Sequence, residues 1–96
     1  MNQINTIESA WTNRDLLNNE EIQSSIRYVI EQLDSGKLRV AEKINNIWIV
    51  NEWVKKAVIL YFIIQQMETI EVGPFEFHDK IPLKRNYKAL GIRVVP

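Results

Sequence analysis

The sequence predicts a small α+β domain, and three observations lead there. The chain has 96 residues, enough for one domain and little more. Two stretches, around Ile22–Leu33 and Trp53–Ile64, place apolar residues at helical spacing. Between them the apolar period drops to two on either side of an Asn45-Asn46 pair, the pattern of a β-hairpin. The expected architecture is therefore about three helices, a hairpin between the second and third, and an extended C-terminal segment.

The elements follow in chain order. Ile4, Ile7 and Trp11 recur at helical spacing and predict a short first helix over residues 3–13. Asn18 followed by Glu21 resembles a capping box with asparagine in the capping place. Ile22, Ile26, Val29, Ile30 and Leu33 then share one face of a second helix over residues 19–35. Gly36 is well placed to stop it, because the residue after a helix often needs a positive φ. Leu38 and Val40 alternate with Lys37, Arg39 and Ala41, and Ile47-Trp48-Ile49-Val50 is β-branched and aromatic, so a hairpin is predicted over residues 38–50. Asn45-Asn46 supplies the turn, since asparagine tolerates left-handed backbone angles. Asn51 is the expected cap of a third helix, on which Trp53, Ala57, Leu60 and Ile64 share a face that Val54, Val58 and Tyr61 widen. Trp48 and Trp53 are expected to be largely buried, with Leu60 and Ile64 beneath the same hairpin. Farther on, Gly73-Pro74 is a turn, Phe75 and Phe77 alternate around Glu76, and Gly91 breaks the chain before an extended Ile92–Val95.

Composition narrows the function classes. Apolar residues make up 46% and charged residues 25%, as in ordinary globular chains. Twelve basic residues balance twelve acidic ones, which argues against a dedicated nucleic-acid binder. The balance is uneven along the chain: residues 1–35 carry net −4, and residues 78–96, with Lys80, Lys84, Arg85, Lys88 and Arg93 against Asp79, carry net +4. No cysteine is present, which excludes disulfides and thiolate chemistry and fits a reducing cytoplasm. The longest apolar run, Ala57–Ile64, is far short of the roughly 20 residues of a membrane span. The first basic residue, Arg14, follows Glu8, so a signal-peptide pattern is not expected. A soluble chain with no membrane partner is predicted.

Catalytic constellations are nearly absent. His78 is the only histidine; Glu76 and Asp79 lie beside it, but neighbours on an extended segment alternate faces and do not converge on a metal. Ser9, Ser24, Ser25 and Ser35 lack a nucleophile-elbow context. Gly36, Gly73 and Gly91 are too far apart for a phosphate-cradling loop. Lys55-Lys56 at a helix start could contact an anion, although a solvated face explains them more simply. Trp11, Trp48 and Trp53 lack the basic stripe that base stacking requires and read better as packing residues.

Residues 33–43 read Leu-Asp-Ser-Gly-Lys-Leu-Arg-Val-Ala-Glu-Lys, and Trp48, Val50, Trp53 and Lys55-Lys56-Ala57-Val58 follow in order. This run resembles the N-terminal domain of bacterial tetrahydrodipicolinate N-succinyltransferases, with their LDSG-x-LRVAEK and W-x-V-x-x-W-x-KKAV-x-L patterns. Phe77 to Lys84 is similar to the family's F-D-K-V-P-M-K stretch, and Gly91 to Pro96 to its G-x-R-V-V-P segment. The likeness runs from about Ile22 to Pro96. One local departure is Ile63, where the family often has arginine.

The resemblance implies a cytoplasmic enzyme that moves a succinyl group from succinyl-CoA to tetrahydrodipicolinate, in the diaminopimelate route to lysine. It implies a homotrimer in which this α+β domain, residues 1–90, precedes a left-handed parallel β-helix of hexapeptide repeats. Residues 91–96 would begin the connection to that absent domain. It also implies a substrate-binding role for Arg93, matching the arginine of G-x-R-V-V-P. No catalytic residue, bound cofactor or metal is expected within these 96 residues; succinyl-CoA is a co-substrate of the whole enzyme, and the chain by itself is expected to be inactive. An ending on an extended run and Pro96 looks like a cut. The alternative is a stand-alone interaction module that docks through its apolar third helix.

Overall fold

The computed structural model describes residues 2–96 and is α+β, with two antiparallel hairpins among its helices. The chain divides into two compact units after Gln66. The first contains α1 (Gln3–Thr12), a 3-10 turn (Arg14–Asn18), α2 (Glu20–Asp34), the strands β1 (Ala41–Ile44) and β2 (Ile47–Val50), and α3 (Glu52–Ile64). The second contains β3 (Glu68–Val72), β4 (Phe75–Asp79) and the short α4 (Tyr87–Leu90).

Asparagines start the helical segments. The Ile4 amide donates to Asn2 Oδ1 at 2.8 Å, and the Asp15 amide to Asn13 Oδ1 at 3.2 Å. At α2 the cap is Asn19, one residue beyond the expected Asn18. Its side chain accepts from the amides of Glu21 (2.8 Å) and Ile22 (3.2 Å). Asn18 is held as the last residue of the 3-10 turn, which leaves Asn19 the extended backbone that a cap needs. Glu20 and Glu21 then lie in the first turn, where the helix dipole favours anions. At the far end Gly36 has φ +80°. The Lys37 amide donates to the Gln32 carbonyl (2.9 Å) and the Gly36 amide to the Leu33 carbonyl (3.2 Å), which closes the helix in a Schellman motif.

The hairpin forms around Asn45 and Asn46, whose φ angles are +51° and +64°. Two successive positive φ values make the turn whose twist matches paired strands. Ala41 pairs with Val50, Glu42 with Ile49, Lys43 with Trp48 and Ile44 with Ile47. Asn51 precedes α3 but does not cap it with its side chain. Its Nδ2 donates instead to the Arg39 carbonyl at 2.8 Å, and its amide to the Val40 carbonyl at 2.7 Å, so it clasps the base of the hairpin.

The core of the first unit is helical. Ile7 and Ala10 of α1, Leu17 of the turn, Ile26 and Val29 of α2, and Ala57, Leu60 and Tyr61 of α3 are buried in one cluster. Trp11, Ile22, Leu38, Trp53 and Ile64 pack around it, half-buried. Leu38, read from sequence as a strand residue, lies before β1 and serves this helical core.

The hairpin stays outside. Trp48 is 68% exposed and every residue of β2 is exposed, which corrects the expectation that Trp48 would be buried against α3. The physical reason is that α3 spends the apolar face of Ala57, Leu60 and Tyr61 within the helical layer of α1 and α2. Trp48→Ala is therefore expected to change stability by about 0.5 kcal/mol or less, as surface substitutions do. A urea midpoint lowered by the roughly 3–5 kcal/mol of a buried aromatic would refute that placement.

In the second unit the structure corrects the extended C-terminal segment. β3 and β4 form a hairpin with Glu68 opposite Asp79, Ile70 opposite Phe77 and Val72 opposite Phe75. Gly73 opens its two-residue turn at φ +57°. Pro74 cannot take a positive φ, which selects the hairpin turn with glycine at the first central position. Ile70, Val72, Phe75 and Phe77 share one face, and Thr69, Glu71, Glu76 and His78 the other. After α4, bracketed by Asn86 (φ +61°) and Gly91 (φ +70°), residues 92–96 have no regular structure. No residue of this second unit is buried.

Candidate functional site

Arg93 follows the left-handed Gly91 in the segment without regular structure. Its side chain is exposed and makes no hydrogen bond or ion pair among the described residues. A guanidinium in that state keeps its planar fork of donors available, the geometry that grips a carboxylate through two parallel bonds. Lys84, Arg85 and Lys88 precede it and are exposed, so the whole stretch is cationic. Such a surface can attract and hold an anion.

The other singled-out residues take structural parts. His78 faces Thr69 across the second hairpin, with Thr69 Oγ1 and His78 Nδ1 2.8 Å apart. No group of three potential metal-ligating side chains occurs among the described residues. Ser35 donates its hydroxyl to the Gln32 carbonyl at 3.1 Å and so helps finish α2.

The two lysines of α3 part ways. Lys55 is exposed, whereas Lys56 is half-buried and donates to both carboxylate oxygens of Glu8, at 2.9 and 3.1 Å. Its ammonium also lies 5.8 Å from the centre of the Trp11 ring, and the Arg14 guanidinium lies 4.7 Å from it. Trp11 is thus flanked by two cations on the side of α1 that meets α3. Lys56 joins these helices and is occupied by Glu8, so the anion contact considered from sequence is already supplied within the fold. The pair is partly solvated, with 27% of the Lys56 side chain and 42% of the Glu8 side chain exposed. Glu8→Gln is expected to cost about 0–1 kcal/mol, and the loss should shrink in high salt. Denaturation at low and high ionic strength checks it; a loss several times larger and insensitive to salt would mean a buried, desolvated pair.

These are the features of a packed helical unit followed by an exposed cationic stretch. Comparison with known proteins gives it a family. The model for the N-terminal domain of tetrahydrodipicolinate N-succinyltransferase matches residues 2–64, from the cap of α1 to the last residue of α3.

The chain belongs to this family.

Curated relatives extend the match across nearly the whole chain. The 2,3,4,5-tetrahydropyridine-2,6-dicarboxylate N-succinyltransferase of Bordetella pertussis is 44% identical over 101 aligned residues, covering 95% of this chain and 37% of the relative. The enzyme of the same name from Idiomarina loihiensis is 41% identical, covering 94% and 36%. That of Buchnera aphidicola subsp. Schizaphis graminum is 41% identical, covering 94% and 37%. The chain therefore spans somewhat over a third of the length of the succinyltransferases it matches. Membership in this family gives the stand-alone interaction module no support, and α3 already has a partner for one side in α1 and α2. Ile63, the departure noted from sequence, is 48% exposed on its outer side. No helix among the described residues is long and apolar enough to cross a membrane.

Proposed function

We propose that this chain is the N-terminal part of an acyltransferase that moves a succinyl group from succinyl-CoA to tetrahydrodipicolinate, in the diaminopimelate route to lysine. The observation that carries the reading is the family match over residues 2–64, together with relatives named as N-succinyltransferases of a tetrahydropyridine dicarboxylate. In the proposed reaction water adds to the ring C=N bond of the acceptor and the ring C–N bond opens to a ketone and a free amine, and that amine attacks the thioester carbonyl. An amide bond forms, the carbon–sulfur bond breaks, and CoA leaves as the thiol with the proton that the nitrogen gives up. None of the residues described above performs that proton transfer. We assign it to a following β-helix domain of hexapeptide repeats, through which the enzyme forms a cytoplasmic homotrimer. Residues 1–90 are the N-terminal domain and 91–96 the start of the connection. The share of this chain's own residues in the reaction is to bind the acceptor: Arg93 holds one carboxylate of the dicarboxylate substrate.

The test follows thiol release from succinyl-CoA in the presence of tetrahydrodipicolinate. The full-length enzyme should turn over and purified residues 1–96 should not. Turnover by the 96-residue chain at the full-length rate would sink the division of labour, and a full-length protein that acylates nothing would sink the proposed reaction.

A further inference from the structure

We draw no further inference here: the strongest candidate, the apolar surface of the first hairpin around Ile47, Trp48 and Val50, is left without a partner within its unit, and nothing in the structure shows what covers it.

Discussion

Leu60→Ala is expected to remove about 2–5 kcal/mol of stability, the range for truncating a buried leucine. Leu60 is fully buried in the cluster that α3 forms with Ile7, Ile26 and Val29. Three helices converge there, so the deleted methyl groups leave a space that no single side chain is free to fill. A domain this small has a total of roughly 5–15 kcal/mol, and the variant should unfold at a much lower urea concentration with an unchanged slope. Ile59→Ala supplies the comparison. Ile59 is the adjacent residue of α3, but it is 38% exposed, and its truncation should cost distinctly less. Equal losses at the two positions would mean that the buried face of α3 is rotated from the one described.

Arg93→Lys in the full-length enzyme is expected to lower kcat/KM for the amine acceptor by about one to two powers of ten, the equivalent of a lost charge-assisted hydrogen bond worth roughly 1.5–3 kcal/mol. Lysine keeps the charge but not the planar fork, so one of two parallel bonds to a carboxylate disappears. The loss should fall on the acceptor and leave the succinyl-CoA dependence nearly unchanged. Stability should not move, because Arg93 is exposed and has no ion-pair partner among the described residues. Steady-state kinetics with each substrate varied in turn decide the matter. An unchanged acceptor term, or an equal loss on both substrates, would remove Arg93 from the binding site.

Much of the local structure was legible because its causes lie within a few residues. The face from Ile22 to Leu33, the stop at Gly36 and the left-handed Asn45-Asn46 turn each follow from side-chain spacing or backbone sterics, and all three are present. The cap of α2 shifted by one residue because a 3-10 turn absorbs Asn18, and such a turn leaves little periodic trace. The second hairpin did have a signal. Ile70 and Val72 alternate with Glu71 before Gly73-Pro74 as Phe75 and Phe77 alternate around Glu76 after it, the period-two pattern of paired strands. At four residues, α4 is too short for a helical period to show.

What the sequence determined by itself is the helix and turn chemistry of the first unit and, through its ordered motifs, the family. What only the tertiary structure decided is where apolar side chains and charges end up. Trp48 and Leu60 are both large and apolar, yet one is 68% exposed and the other fully buried. Hydrophobicity states the gain from leaving water, but not which surface is available to receive the side chain. The same holds for Lys56. Its partner Glu8 is 48 residues away, and only the packing of α1 on α3 brings the two charges within hydrogen-bonding reach.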